Sequence, residues 1–466
     1  MSPAKVSMNP DTFVEEPIEV QPHIEADLLS PIHSDVGNAE RFVELFGRNV
    51  RYCPRIKKWL VWDNKRWKED DLEHVVKLAK KSMLEFFHQA IREGDRDSEK
   101  YAKSSLNAVK IRGLIDMVKP EVAIEVESLD THDWLLNCSN GTIYLKTGKL
   151  KPHRREDFIT KITPLDYIPG ARCQPFHDFL KQIIPSQDLR DYLQKVFGYA
   201  LTGDVSEKAI FCCFGDGNNG KTTLLNTIGH VMGEYASQVL IDSLMSKTFG
   251  ESNSSSDDLA ALRGARFVIT SEGEEGQRLA EAKVKTLTAG MGKIKTRRLY
   301  ERHIEFKATH KLFMDSNHKP VVRGTDSAIW NRLKAIPFNV TITKIDKKMA
   351  QKLQGRTVAE GILAYLVRGC LLWQKEGLGD PPAVTATSAA WRGEMDPLKG
   401  FIGTVCELKE GAKCKSSDLW DAYDKWAEDH EKLNRKQFSD RLKQLGCISD
   451  RTTRSRFWLG IELIES

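Results

Sequence analysis

A chain of 466 residues, 40% hydrophobic and 29% charged with a formal net charge of +5, is long enough for two or three domains and too weakly basic overall to declare a nucleic-acid partner by charge alone. No apolar run approaches the roughly 18 residues that a spanning helix needs, and the first segment lacks the basic start and apolar middle of a secretory signal, so a cytoplasmic protein with no membrane partner is expected. Nine cysteines without a C-x-x-C pair argue against structural zinc and against a disulfide framework.

Residues 1–37 are acidic, contain proline and have no periodic apolar face, which reads as a disordered tail. A mixed α/β domain is expected over 38–172. Its "NAERFVELFG" predicts an amphipathic helix, and "KKWLVWDNKRWKE" predicts a hairpin turning at Asp63-Asn64. Trp59, Trp62 and Trp67 can stack nucleobases, but on a half-buried strand the core is the plainer role. Glu73 to Lys119 carries helical spacing, and "LLNCSNGTIYLKTGKL" predicts a second hairpin turning at Asn140-Gly141. Asp95 and Asp97 form no buried carboxylate pair in such a charged stretch, so a solvated face is expected and no primer-synthesis site is found. Helices around "CQPFHDFLKQII" and "DLRDYLQKVFGYALTG" form a collar or linker over 173–207.

From Lys208 the strand "KAIFCCF" leads into Gly215-Asp216-Gly217-Asn218-Asn219-Gly220-Lys221-Thr222, a G-x-x-x-x-G-K-[ST] loop, and Thr223 continues into the helix "TTLLNTIGHVMG". Glycines let backbone N–H groups turn inward onto phosphate oxygens, Lys221 supplies positive charge to the β- and γ-phosphates, and the Thr222 hydroxyl completes a Mg²⁺ shell. ATP and Mg²⁺ are therefore the expected cofactors. A partner carboxylate is needed at a neighbouring strand end. "ARFVITSEGEE" offers Glu272 for that role and Glu274 in support, against the alternative that both solvate a loop.

The strand "HKLFMDSNHKP" ends in Asn317, a candidate for positioning the attacking water, although such an amide is often only a turn residue. In "RGTDSAIWNRLKAIPF", Arg332 lies in a helix-like stretch and Arg323 in the loop before it. Either can reach a neighbouring subunit's γ-phosphate as an arginine finger, Arg332 being favoured over an ordinary ion-pairing role. Between these motifs a basic segment with Lys293, Lys295, Arg297, Arg298 and Arg302 around short strands suits a phosphodiester chain, with a solvated hairpin as its competitor. The expected nucleotide-binding domain covers 208–375.

Residues 376–398 read as a proline- and alanine-containing linker, and 399–466 as helix, helix and basic hairpin, the order of a winged helix. Lys436 would lie on the second helix and Arg451, Arg454 and Arg456 on the wing, for DNA or for a protein contact. Trp420, Tyr423 and Trp426 follow helical spacing and are expected in the core.

The ordered set "GDGNNGKTT", "ARFVITSEGEE", "KTLTAGMGKIKTRRLY", "HKLFMDSNHKP" and "AIWNRLKAIPF" resembles the superfamily III helicase region of phage and plasmid primase-helicases, a family related to the poxvirus primase-helicase. "NAERFVELFG", "KWLVWDNKRW", "WLLNCSNGTIYLKTGKL" and "FGYALTG" extend the resemblance over roughly residues 38 to 460. It implies an α/β fold class: an AAA+-type P-loop ATPase core, a preceding α/β domain and a carboxyl-terminal winged helix, without a primase catalytic domain. It also implies a hexameric homo-oligomer translocating on single-stranded DNA in a central channel, with Lys221 and Thr222 in Walker A, Glu272 in Walker B, Asn317 as sensor and Arg332 as finger. Two rivals are an ATP-dependent DNA-binding loader or initiator that unwinds nothing, and a P-loop phosphotransferase acting on a small molecule.

Overall fold

Ser34 accepts a hydrogen bond from the Gly37 backbone N–H at 3.2 Å and so caps helix α1 (Asp35–Phe46), which begins inside the expected tail. The computed structural model describes residues 32–241, 244–246, 259–270, 276–290, 293–296, 304–324, 326–429, 432–451 and 455–464. Most of the tail lies outside them. Helices α2 (His74–Glu93), α3 (Arg96–Ser105) and α4 (Ala108–Glu121) pack on α1 through Phe42, Phe46, Val75, Phe86 and Leu114. Asp95 caps α3 by accepting from the Asp97 and Ser98 amides, and Asp97 stands in the first turn of that helix, where a carboxylate suits the helix dipole.

Strands β1 (Val50–Cys53), β2 (Lys58–Trp62) and β3 (Trp67–Glu69) form an antiparallel sheet beside these helices. Its β2–β3 turn holds Asn64 at φ 71°, with Asp63 Oδ1 accepting from the amides of Lys65 and Arg66. Trp62 and Trp67 are buried, so the core role stands for both. A second antiparallel sheet joins β4 (Leu135–Cys138), β5 (Gly141–Tyr144) and β6 (Lys149–Lys151). Here the turn residues are Ser139 and Asn140, one position earlier than expected, because Cys138 pairs with Gly141. Gly141 is needed where it stands, since a Cβ there would crowd the Leu150 side chain at 3.0 Å.

Helices α5 (Gln174–Ile183) and α6 (Gln187–Ala200) then lead to a five-stranded parallel sheet in the order β13-β7-β12-β9-β8. Its strands are β7 (Ile210–Phe214), β8 (Ala236–Val239), β9 (Phe267–Thr270), β12 (Lys311–Ser316) and β13 (Leu333–Pro337), with the two-stranded hairpin β10 (Lys293–Thr296) and β11 (Ile304–Lys307) between β9 and β12 in sequence. Alternation along the strands explains two cores. Phe211, Cys213, Phe267, Phe313 and Ile336 face α5, α6, α7 (Lys221–Met232) and the helix Arg356–Glu376, whereas Ile210, Cys212, Leu312, Met314 and Ala335 face the other side with Trp391. Both sheet faces are therefore covered. All nine cysteines are buried and free. "RLKAIPF", expected to be helical at its start, is the fifth parallel strand, preceded by a short helix at Ser327–Trp330.

Two buried cations tie the carbonyl end of α6 to the starts of β9 and β12. Arg266 donates to the carbonyls of Leu201, His132 and Leu135 at 2.6, 3.1 and 2.7 Å, while Lys311 donates to Thr202 and to Thr309. Burial lowers the pKa of both. His310 beside them has no partner for either ring nitrogen among the described residues, and burial pulls it down to about 4.

The expected linker is mostly a helix, Pro382–Glu394, bound along β13: the Ala335 amide donates to Ser388 Oγ at 3.0 Å, and Trp391 is fully buried against Phe214 and Trp330. Beyond it stand the helix Pro397–Thr404, strand β14 (Cys406–Lys415), the helices Ser416–Trp426 and Arg435–Gln444, and strands β15 (Ile448–Arg451) and β16 (Arg456–Leu463), with sheet order β14-β16-β15. The helix, helix, hairpin order holds, with β14 and its preceding helix added. Tyr423 is buried there, and Trp420 and Trp426 pack partly buried on the same core.

Candidate functional site

At the carboxyl end of the parallel sheet β7 runs into the glycine loop, and Gly220, at φ +82°, opens α7. A Cβ on Gly220 would meet Ile183 Cγ2 at 2.7 Å, and one on Gly215 would meet the Phe338 carbonyl carbon at 3.0 Å, so both positions require glycine. The segment after β13 flanks the loop: Phe338 N–H donates to Phe214 O at 2.7 Å and Ile342 N–H to Asn218 O at 2.8 Å. Asn219 shapes it from inside, donating to the carbonyls of Asp216 and Phe338 and accepting from the Lys221 amide. Asp216, Gly217 and Asn218 remain exposed at the tip, and Thr223 is half-buried in the first turn of α7.

The Lys221 side chain is almost fully buried and its Nζ donates to Gly215 O at 2.7 Å, Asn317 Oδ1 at 2.8 Å and Asn219 Oδ1 at 3.4 Å. Thr222 Oγ1 donates to Asp315 Oδ2 at 2.6 Å. Strand β12 makes this possible because it lies directly beside β7, with Asp315 opposite Cys213 and Ser316 opposite Phe214. The structure thus joins Lys221 to Asn317 as neighbours and adds Asp315, which the sequence reading passed over. A signal was available: residues 315 and 317 are two apart, so a strand-end Asn317 aimed at the loop puts Asp315 on the same side.

The donors fit a nucleotide triphosphate and its metal. Backbone N–H groups at the start of α7 and a buried ammonium suit phosphate, and a hydroxyl 2.6 Å from a carboxylate is an all-oxygen set of the kind that takes Mg²⁺. Beside the loop a cavity of about 340 Å³ is lined by Gly215, Asp216, Asn317, Lys319, Phe338 and Thr387 among others.

A family model described as "D5 N terminal like" matches residues 39–185, and one described as a family of unknown function matches residues 213–332. The chain is 24% identical over 460 residues to "Putative helicase L207/L206" of Acanthamoeba polyphaga mimivirus, covering 89% of this chain and 46% of that protein. It is 23% identical to "Putative primase C962R" of African swine fever virus, covering 56% and 27%. To "Putative helicase V13" of Sputnik virophage it is 21% identical, covering 96% and 60%. An apo structure of the NrS-1 C terminal region aligns at 12% identity and a TM-score of 0.47 over 86% of this chain and 83% of that one. The sequence matches support a relationship with viral primase-helicase proteins, of whose length the chain spans about a quarter to three fifths.

The remaining expected residues are distributed around this centre. Glu272 and Glu274 lie outside the described residues, as do Arg297, Arg298, Arg302 and Arg454. Arg332 stands just before β13, at the end of the sheet away from the loop; Leu333 pairs with Ile210 and Pro337 with Phe214, so the strand separates Arg332 from its own loop by about 15 Å. It donates to Ala328 O at 2.5 Å, and its Nε is buried without a partner among the described residues. Arg323 is exposed. On β10, Ile294 and Thr296 point inward while Lys293 and Lys295 are exposed, Lys295 pairing across the hairpin with Glu305 at 2.9 Å. Lys436, Arg451 and Arg456 are exposed in the carboxyl-terminal unit. No described helix is long and apolar enough to cross a membrane.

Proposed function

We propose that the chain is the ATP-driven motor of a viral or related mobile-element replicative helicase, an AAA+-type ATPase of superfamily III that works as a homo-oligomeric ring on one DNA strand. The observation that carries this reading is the contact of Lys221 with Asn317 and of Thr222 with Asp315 across the adjacent strands β7 and β12. Names of viral relatives as helicases support the choice of DNA as partner.

In this reading the α7 amides and Lys221 bind the β- and γ-phosphates, and Lys221 exchanges Gly215 O and Asn317 Oδ1 for phosphate oxygens. Asn317, released from the ammonium, orients the attacking water, and Glu272 accepts its proton, with Glu274 in support. Thr222 and Asp315, joined by Glu272, would hold Mg²⁺, which neutralises charge on the phosphates. Arg332, standing before the start of β13 and so too far from its own loop to serve it, reaches a neighbouring subunit's γ-phosphate, with Arg323 as the alternative finger. The hairpin face of Lys293 and Lys295, continued by Arg297, Arg298 and Arg302, follows the strand in the channel. The carboxyl-terminal unit acts as a winged helix, with Lys436, Arg451, Arg454 and Arg456 toward duplex DNA.

Strand displacement on forked DNA with ATP, beside particle imaging with and without nucleotide, tests the reading. Displacement by rings, lost in Lys221→Ala, is expected. ATP turnover with rings but no displacement would overturn the motor in favour of a loader. Turnover by a strict monomer at full rate would overturn the ring.

A further inference from the structure

A cavity with a distinct chemistry lies in the amino-terminal unit. It measures about 550 Å³ and is lined by Arg48, Arg51, Arg155, Glu156 and Phe158. The three guanidiniums come from separate elements: Arg48 from the turn Gly47–Asn49, Arg51 from β1 and Arg155 from the turn Arg155–Asp157. Two of them are held in place by neutral groups. Arg51 donates to Gly47 O and Val50 O at 2.6 and 2.7 Å with one nitrogen, which leaves the other edge of its fork unspent among the described residues, and its Cζ lies 5.0 Å from the Trp67 ring centroid. Arg155 donates to Asn49 Oδ1 at 2.8 Å, and its carbonyl accepts from the Trp67 indole at 2.7 Å.

Among the described residues, none of the three is ion-paired with a carboxylate. Glu156 is the only acid in the lining, and its carboxylate lies 3.7 Å from Arg154 instead. Three cations gathered against one acid repel each other, and the Arg51 pKa is lowered, first by burial and then by Arg155. Such a cluster gains most from a polyanion. Phe158 adds an aromatic face: its backbone is held at φ 46°, Trp67 stacks behind it at 6.1 Å, and the Arg51 guanidinium stands 5.9 Å from its centroid. Guanidiniums beside an aromatic ring match alternating phosphate and base better than they match an acidic peptide.

We propose that this cavity is a second nucleic-acid site, taking the phosphodiester backbone of a single strand on Arg48, Arg51 and Arg155 with a base against Phe158. The choice of a nucleic-acid strand rests on the helicase reading; the anion-binding character of the cavity does not.

The test uses the full chain without nucleotide and a labelled thymidine 20-mer, read by anisotropy over a series of salt concentrations. Arg48 is exposed at the rim, so Arg48→Ala should leave thermal unfolding unchanged. It should weaken binding about fivefold near 0.1 M salt and make the salt slope shallower by about 0.7, the share of one phosphate on a single strand. Arg48→Glu should cost more, and Arg48→Lys and Arg155→Lys should restore most of the affinity. Unchanged affinity and slope in a folded Arg48→Glu protein would overturn the site. So would thymidine monophosphate or inorganic phosphate competing as well as the 20-mer, which would make it a small-anion pocket. Lys221→Ala should keep the Arg48 dependence, so failure of the ATPase reading and failure of this site give different results.

Discussion

His310 opens the run that β12 continues to Asp315 and Asn317, and its imidazole is buried with neither nitrogen partnered among the described residues. Its pKa is lowered from 6.5 to about 4, by burial first and by the neighbouring Lys311 second. In the unfolded chain the ring takes up a proton below about pH 6.5, whereas in the folded protein it does so only near pH 4. The stability tied to this group is therefore complete above pH 6.5, declines as pH falls toward 4 and levels off below. At about 1.4 kcal/mol per pH unit the loss amounts to about 3 kcal/mol. His310→Leu removes the titration whatever its offset at neutral pH. Cys212 and Cys213, buried on the neighbouring strand β7, report on this sheet when their labelling is resolved by peptide mass from that of the other seven buried thiols, and a dipyridyl disulfide labels thiols even in mild acid. Unfolding free energies from urea pulse labelling at about pH 7 and about pH 4 should show wild type losing about 3 kcal/mol more than the variant as pH falls. Parallel pH dependences in the two proteins would refute the reasoning and imply a proton partner for His310.

Asp315→Asn keeps the shape of the contact with Thr222 but removes its charge, so Mg²⁺-dependent nucleotide affinity, measured by titration calorimetry with and without the metal, should fall about tenfold or more while metal-free affinity changes little. Mixing Arg332→Ala subunits with Lys221→Ala subunits should restore part of the ATPase activity that each lacks alone, since the two residues would act at one interface from opposite sides. No rescue at any ratio would return Arg332 to an internal role. Gly198→Ala should lower stability by about 1 to 3 kcal/mol without touching the loop, because its Cβ would lie 2.8 Å from Cys370 Cα where α6 meets the helix Arg356–Glu376; a urea midpoint equal to wild type would contradict that contact.

The phosphate loop could be read from residue spacing because its chemistry is local: a strand, a glycine turn and a helix start are contiguous in the chain. Asn317 could be named from the end of an apolar run, but its bond to Lys221 depends on β12 lying beside β7, a long-range pairing that periodicity does not encode. Asp315 was hidden for the same reason, an acid within an apolar run that only strand register turns toward Thr222. Arg332 reads as part of a helix-like stretch within "RGTDSAIWNRLKAIPF"; the short helix is real, but pairing of Leu333 to Pro337 with β7 captures the rest as strand. Likewise "PPAVTATSAAWRG" reads as a connector by composition, and only the buried seat of Trp391 makes it part of the core. The arginine cavity joins residues about a hundred positions apart and left no mark on the linear chain.

The helix Pro382–Glu394 is more than a cover for β13. Its Trp391 leans on Phe214, the last strand residue before the glycine turn, its Thr387 borders the adjoining cavity, and its far end runs directly into the carboxyl-terminal unit. A tug on that unit has to either pull the indole from its socket or shift the edge strand on which the cradle leans. A pull on the carboxyl-terminal unit would therefore bear first on the Trp391–Phe214 contact, the Lys319–Glu394 pair and the Ser388 bond to Ala335, all beside the place where phosphate would be gripped.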